Sequence, residues 1–268
     1  MCHVSEGMTR LVHIADLHFG DESRRLVDSL AAYCQDDPPD AVIATGDFTQ
    51  AGRRREFGLA RAFLESLNVP VVGAPGNHDV PVYALDHRIL TPWQRFHRMV
   101  GPVVSPRLKT DAFHVETLHT ARRAQWRLDW SLGRVSRRDI RNLVARFDPE
   151  DPALRIAACH HPLITPEGGA GRGRTQRGPE TAAELARHCS LVLTGHLHRT
   201  FALPAKDGEN TCWFVGASTA FSGRTRIEPA GFNEIVLEGE AIRLIHHEAD
   251  EAGQFHPARE QVLPLRAG

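Results

Sequence analysis

Five short apolar runs in this chain end in the same way, and that shared ending constrains the fold more than any other feature. "RLVHIAD" (10–16) continues into Leu17 and His18. "DAVIATGD" (40–47) closes on Asp47. "VPVVGAP" (69–75) leads into Gly76, Asn77, His78 and Asp79. "ALRIAACH" (153–160) is followed by His161, and "SLVLTGH" (190–196) by Leu197 and His198. Each run reads as a buried strand that stops in polar residues. Between the first three lie segments of helical spacing. Residues 23–35 put Leu26, Leu30 and Tyr33 on one face, and residues 53–67 do the same with Phe57, Ala60 and Leu64. Strand, helix, strand, helix, strand with short joins implies right-handed crossovers and a largely parallel start to a sheet. Open α/β sheets bind ligands outside the carboxyl ends of their strands, so all five polar endings are delivered to one edge.

The rest of the chain fills out this frame. Residues 92–100 predict a short helix and 111–118 a strand, while 121–133 is ambiguous, a connection between sheets. A helix over 136–147 begins with Ser136 and Asp139 as an N-cap and N3 pair, and one over 179–188 begins at Pro179. "TFALPA", "TCWFVGAS", "FNEIVLEG" and "AIRLIHHEA" read as strands joined by turns in antiparallel fashion. No internal repeat or linker interrupts the pattern. The expectation is one α/β domain over 1–268 with two packed sheets and a flexible stretch at 1–8.

Composition bounds the partners. The 268 residues are 41% apolar, enough for one substantial core, and the formal net charge is −1. Nothing global favours a polyanionic partner, so nucleic acid is a lesser expectation. The five cysteines are odd in number and none has Cys-x-x-Cys spacing, which argues against both a disulfide framework and a thiolate zinc site. The N-terminal stretch lacks an apolar signal-peptide core, and no run reaches membrane-spanning length. A reducing, cytoplasmic setting is expected, with no membrane span.

The polar endings select the chemistry. Asp16, His18, Asp47, Asn77, His160, His196 and His198 make seven hard or borderline donors with no thiolate. That set favours manganese, iron or zinc over a soft metal. Seven ligands are too many for one catalytic ion, which keeps open positions, but suit two ions clamping a phosphoryl group, with a carboxylate as the bridge. His196 and His198, two apart on a short loop, can address different ions. A lone Asp-x-His or one Gly-Asn-His-Asp is more often turn chemistry, and Asn77 alone would fit a turn. Joint occurrence in order at five strand ends is what makes a site.

The blocks "DLH" at 16–18, "GD" at 46–47, "GNHD" at 76–79, His160 and "GHLH" at 195–198 together resemble the five-block signature of the calcineurin-like metallophosphoesterases. All five are present in order. The resemblance implies a four-layer α/β/β/α sandwich of two mixed sheets with a dimetal site at the strand C-terminal edge. It implies that Asp16, His18 and His198 hold one metal and that Asp47 bridges. Asn77, His160 and His196 then hold the second, leaving His161 to pack or orient. The implied reaction is in-line attack on phosphorus by a metal-bridging hydroxide. His78 would face the phosphate and stabilise developing charge, and Asp79 would hold the His78 imidazole in position.

The substrate is less constrained. Size, block spacing and "SLGRVSRRDIRNLVARF" (131–147) resemble the class III cyclic-nucleotide phosphodiesterase branch. The opening "LVHIADLHFG" also resembles DNA-repair nucleases, and a lid such as 89–100 would suit a UDP-diacylglucosamine pyrophosphatase. A non-enzymatic scaffold is a further reading, though such relatives lose ligands that are intact here. Arginine pairs and runs at 53–55, 122–123 and 137–138 read as solvated faces. The loop over 168–178 follows the His160 strand, and its Arg172, Arg174 and Arg177 either grip substrate phosphate or sit on a flexible surface loop.

Overall fold

A computed structural model of the chain describes residues 8–81, 88, 90–122, 132–166, 175–222 and 228–266. Two six-stranded mixed sheets face each other. The first contains β1 (Thr9–Ile14), β2 (Ala41–Ala44), β3 (Val71–Gly73), β10 (Gly231–Glu238), β11 (Ala241–Ala249) and β12 (Phe255–Pro264), in the order β12-β11-β10-β1-β2-β3. The second contains β4 (Arg107–Lys109), β5 (Phe113–Leu118), β6 (Leu154–Cys159), β7 (Leu191–Thr194), β8 (Phe201–Asp207) and β9 (Asn210–Gly216), in the order β4-β5-β6-β7-β9-β8. Strands β1, β2 and β3 pair parallel, as do β5, β6, β7 and β9. The antiparallel strands lie outside them. Hence the carboxyl ends of β1, β2, β3, β6 and β7 can share one edge of the sandwich.

Alternation along each strand sorts side chains into layers. Leu11, Ile43, Val72, Ile156, Ala158, Leu191, Leu193 and Val215 point between the sheets. Their neighbours Val12, Ile14, Val42, Ala44 and Val71 point outward, against α1 (Arg24–Asp36), α2 (Arg54–Ser66) and α3 (Gln94–Met99). On the other side Ala157, Cys159, Val192 and Phe214 meet α4 (Arg137–Val144) and α5 (Gly178–Ala186). The result is the α/β/β/α stack expected from the sequence. Leu26, Leu30, Phe57, Ala60 and Leu64 are buried where helical spacing put them, while Tyr33 is only partly buried. At the start of α4 the Asp139 backbone N–H donates to Ser136 Oγ at 3.1 Å, and the Ser136 hydroxyl donates to the Asp139 carboxylate at 2.6 Å.

Two strands lie outside the sequence expectation. Among the described residues the short β4 pairs only with β5. Ten-residue β12 is an edge strand with mostly exposed side chains, and its Pro257 sits where the register with β11 shifts at His246/His247. It shows neither an apolar run nor clean alternation, which are the usual strand signals.

The inter-sheet layer also carries polar groups. Asn233 on β10 donates from Nδ2 to His13 Nδ1 at 3.2 Å and to the Gly216 carbonyl at 3.1 Å. Its Oδ1 accepts from His246 Nδ1 at 3.1 Å, and His13 Nε2 donates to Thr45 Oγ1 at 3.0 Å. Burial pushes His13 down to about 3 and His246 down to about 4, so both rings are neutral. Residues 1–7 and most of the ambiguous 121–133 connection lie outside the described residues. No helix among the described residues is long and apolar enough to cross a membrane.

Candidate dimetal centre

Backbone pairing carries on past the ends of β1 and β2. Asp16 N donates to the Gly46 carbonyl, His18 N to that of Asp47, and Phe19 N to that of Phe48. Gln50 N then returns to the Phe19 carbonyl. These bonds zip the two post-strand loops together while letting them curl. Asp16, His18 and Asp47 have φ of 52°, 46° and 50°, and His196 and His198 have 70° and 52°. Five of the seven non-glycine residues with positive φ among the described residues are therefore metal-ligand candidates read from the sequence. The left-handed region is costly for residues with a Cβ, and such outliers collect at functional sites.

The curled loops bring the donors into one largely buried cluster with two halves. In one, His18 Nε2 lies 3.2 Å from His198 Nε2, and His198 Nε2 lies 3.4 Å from Asp16 Oδ1. In the other, His160 Nε2 lies 3.2 Å from His196 Nδ1, 3.1 Å from Asn77 Oδ1 and 3.3 Å from Asp47 Oδ2. Asp47 Oδ2 also lies 3.9 Å from His18 Nε2, so this carboxylate stands between the halves. Second contacts fix the ligand faces. His160 Nδ1 donates to the Thr45 carbonyl at 2.8 Å, leaving Nε2 free for the cluster. Asp16 Oδ2 accepts the His196 backbone N–H at 2.8 Å, while Asp16 Oδ1 is buried with no hydrogen-bond partner.

Two glycines are required by close approach. A Cβ on Gly76 would collide with the Asp47 carboxylate and backbone nitrogen. Gly46, at φ +83°, packs so tightly that a Cβ would lie 2.7 Å from His160 Nδ1.

Charge in the centre pulls in one direction. Burial alone would push Asp16 and Asp47 up, but the surrounding imidazoles hold both below the usual carboxylate range. Conversely, burial would lower His160, yet Asp47 and Asp16 raise it to about 9, and Asp16 raises His198. Burial dominates at His18 and His196, each lowered to about 4. Two buried carboxylates that draw positive charge onto the neighbouring imidazoles are an environment suited to a cation.

The "GNHD" segment is a 3-10 turn over Asn77–Asp79. The half-buried His78 donates its backbone N–H to Asp47 Oδ1 at 2.8 Å, and its ring stands edge-on to His18 with centroids 4.9 Å apart. Its Nδ1 donates to the Gln50 carbonyl at 2.7 Å, which orients the ring and leaves Nε2 free. The expectation that Asp79 orients this imidazole is corrected here. Asp79 is fully buried, and its oxygens accept from Phe48 N, Thr49 N, Thr49 Oγ1 and Gly76 N at 2.8 to 3.2 Å. It therefore clamps the loop carrying Asp47 to the loop carrying Asn77 and His78. Its side chain turns into the loops because four convergent donors outbid one imidazole (already satisfied by a carbonyl).

The sequence reading missed two contributors. Gln50 was unremarked because its main chain, not its side chain, does the orienting. The end of β5 supplies Thr120, whose hydroxyl contacts both His161 Nδ1 at 2.9 Å and His161 N at 3.0 Å. Of the three loop arginines, Arg172 and Arg174 lie outside the described residues. Arg177 is exposed and occupies the N-cap of α5 with φ 67°.

Two sheets stacked between helices, with paired clusters of His, Asp and Asn at one strand edge, define a metal-dependent phosphoester hydrolase. Residues 9–200 match the family described as calcineurin-like phosphoesterase, and the chain belongs to that family, which binds two metal ions. It is 26% identical over 211 residues to a probable cyclic nucleotide phosphodiesterase of Synechococcus sp., covering 75% of this chain and 72% of that one. Over 80 residues, 26% of this chain and 29% of the other, it is 32% identical to the glycerophosphodiester phosphodiesterase of Enterobacter lignolyticus. The fold is similar to that of a purple acid phosphatase from yellow lupin seeds, with a TM-score of 0.66 at 14% identity. That match covers 97% of this chain and 54% of the lupin chain, so the chain spans about half of that protein.

Proposed function

We propose that the chain is a phosphodiesterase acting on cyclic nucleotides or similar small phosphodiesters through a two-ion centre. The observation that carries the two-ion reading is the pair of donor sets meeting at Asp47. Two ligand nitrogens about 2.1 Å from one ion at a tetrahedral angle are roughly 3.4 Å apart. The imidazole pairs 18/198 and 160/196, each at 3.2 Å, are spaced accordingly. Asp16 Oδ1, buried without a hydrogen bond and 3.4 Å from His198 Nε2, is a further acceptor that a cation would satisfy. Asp16, His18 and His198 would hold one ion and Asn77, His160 and His196 the other, with Asp47 shared. Manganese, iron and zinc all suit these oxygen and nitrogen donors. Bound ions would supply Lewis acidity toward the phosphoryl oxygen and a nucleophile available near neutral pH.

The chain's own residues do the rest. His78, with its Nδ1–H committed to the Gln50 carbonyl, presents Nε2 to the substrate; in its doubly protonated form it stabilises charge developing on the phosphoryl group and gives the Nε2 proton to the leaving oxygen. Asp79 positions it indirectly, by fixing the loop. Support for a diester rather than a monoester comes from the relatives: the two described above are both named as phosphodiesterases.

A manganese-supplemented panel tests the reading. It compares bis-p-nitrophenyl phosphate, p-nitrophenyl phosphate, 3′,5′- and 2′,3′-cyclic AMP, a glycerophosphodiester, single-stranded DNA and UDP-diacylglucosamine. Turnover of small diesters is expected. Hydrolysis of the monoester alone would overturn the proposal.

A further inference from the structure

One flank of the centre is crossed by the start of α3. Strand β3 is the edge of its sheet and packs across the sandwich against β4 and β5. The loops after β3 and β5 therefore bound the centre on this side. The first carries Asn77 and His78, the second His119 and Thr120. Trp93 lies between them, tied to both. Its indole meets the His119 ring edge-on, with centroids 4.5 Å apart. The next residue, Thr120, has its hydroxyl 2.9 Å from Nδ1 of His161, the neighbour of the candidate ligand His160. On the other side Arg95, two residues after Trp93, donates from Nη1 to the Gly52 carbonyl at 2.8 Å. Gly52 in turn stands two residues after Gln50, whose carbonyl holds His78 Nδ1 at 2.7 Å. Each of these two-residue steps reaches at most about 7 Å. A Cβ on Gly52 would lie 2.7 Å from the Val80 carbonyl carbon, so the same loop is packed on the chain just past His78.

The helix behind Trp93 is anchored in the core. Phe96 and Val100 are buried, and the Phe96 ring packs on Phe48 with centroids 5.3 Å apart and on Phe57 at 6.5 Å. Phe48 directly follows the candidate bridging ligand Asp47. Trp93 itself is only partly buried, although tryptophan is among the residues most buried on average. An edge-on contact sets the edge of one ring against one face of the other. Whichever of the two rings supplies that face, at least one face of the indole is not taken by His119. The flank of the centre next to His78 thus carries a large apolar ring, rigidly based and partly open, among donors that are otherwise polar. Covering such a ring with another flat apolar surface is favourable.

We propose that Trp93 is a specificity-determining residue, its indole stacking on the nucleobase of a nucleotide phosphodiester whose phosphoryl group lies at the two-ion centre. This rests on reading the centre as a phosphodiesterase site. An indole face accepts any base, because every base has a π-face, and purines cover more of it than pyrimidines. His78 stands on the same flank, so a nucleotide with its phosphate at the centre and its base on Trp93 lies alongside that imidazole.

The test uses the manganese-loaded full chain with the variants Trp93→Ala and Trp93→Phe, and two ligands that differ only by the base, adenosine 5′-monophosphate and ribose 5-phosphate. Affinities are measured by calorimetry, metal content by elemental analysis, and kcat and KM on 3′,5′-cyclic AMP. The wild type is expected to bind the nucleotide about 10-fold or more tightly than the sugar phosphate, the worth of one stacked base. W93A is expected to bring that ratio close to one while its metal content and its affinity for ribose 5-phosphate stay as in the wild type. On cyclic AMP its KM should rise by about the same factor as the lost ratio with little change in kcat. W93F, which keeps an aromatic face, is expected to retain most of the ratio. Adenosine 5′-monophosphate should also quench tryptophan fluorescence in the wild type and not in W93F. Equal affinities for the two ligands in the wild type would overturn the proposal, and so would a ratio unchanged in W93A. Ribose 5-phosphate affinity falling in step with that of the nucleotide in W93A would overturn it as well, leaving Trp93 to the support of the loops. If W93A does not fold, quenching decides: equal quenching in wild type and W93F overturns the stacking. Failure of the wild type to hydrolyse any small phosphodiester would instead sink the reading of the centre, and the affinity ratio would still decide whether Trp93 meets a base.

Discussion

The inter-sheet histidines make the fold sensitive to acid, and His246 allows the effect to be isolated. In the folded chain its Nδ1–H donates to Asn233 Oδ1, and burial lowers it from 6.5 to about 4. Above about pH 6.5 the ring is neutral both folded and unfolded, so pH has no purchase on it. Below that value the unfolded chain takes up a proton that the folded chain refuses. Stability contributed by neutral burial is therefore complete above the unfolded pKa and falls as pH drops toward the folded one. The slope approaches about 1.4 kcal/mol per pH unit for one group. Between roughly pH 7.5 and 4.5, His246 alone should remove on the order of 2–3 kcal/mol, a sizeable part of the ~5–15 kcal/mol that holds a domain together. A His246→Gln variant keeps a donor near Asn233 Oδ1 and has no proton to gain. Urea unfolding of wild type and variant, followed by circular dichroism with excess chelator across this pH range, gives the two slopes. The variant is expected to start less stable at neutral pH and to converge with or overtake the wild type in acid. Parallel pH dependences would refute the reasoning, since every other titrating group is common to both proteins.

Three substitutions probe the centre itself. His78→Ala is expected to keep both ions and lose ~100- to 1,000-fold in kcat, and metal occupancy falling in step with rate would make His78 a ligand instead. Asp79→Asn replaces an acceptor of four hydrogen bonds by one that keeps a single oxygen. It should cost about 1–3 kcal/mol in urea unfolding and lower activity through loop displacement, whereas unchanged stability with lost activity would return Asp79 to a direct role. Gly46→Ala pushes a Cβ to 2.7 Å from His160 Nδ1 at a backbone φ of +83°. The half-site built on His160 should lose its ion first, giving about one ion per chain by elemental analysis, and full occupancy would show that the loop yields instead.

The layers and the donors were legible because each leaves a pattern of its own. A buried strand is a run of apolar residues, and a ligand at its end is a polar residue of a telling type, so Asp16, Asp47, His160 and His196 could be placed on one edge from sequence order alone. What stayed hidden acts through the backbone or through polar groups in ordinary guise. Gln50 orients His78 with a carbonyl, which any residue would carry. Asp79 sits next to His78 in sequence, which suggests a direct contact, yet a turn directs adjacent side chains apart, and all its partners but Gly76 N lie some thirty residues earlier. Thr120 ends a strand whose ending "HT" resembles no metal block. The edge strand β12 contains two prolines and an exposed, charged surface, the features that guard an edge and also mask a strand.

The strained backbone of the centre bears on how such a site can exist before its ions arrive. Left-handed φ at five candidate ligand positions would cost on the order of 1–3 kcal/mol each in an unsupported chain. Here the strain is opposed locally. The loops after β1 and β2 hydrogen-bond to one another at Asp16, His18 and Phe19, and Asp79 ties the second loop to the turn holding Asn77. Beneath them lie strands whose residues Leu11, Val12, Ile14, Val42 and Ile43 are fully buried. Asp16 also reaches across to the opposite sheet, accepting the His196 backbone N–H through Oδ2 and the Thr219 hydroxyl through its carbonyl. The candidate ligands are thus positioned by a core and a set of main-chain bonds. What a bound ion would add is a partner for crowded atoms such as Asp16 Oδ1, buried without a hydrogen bond, and that gain is available only if the atoms are held in place beforehand.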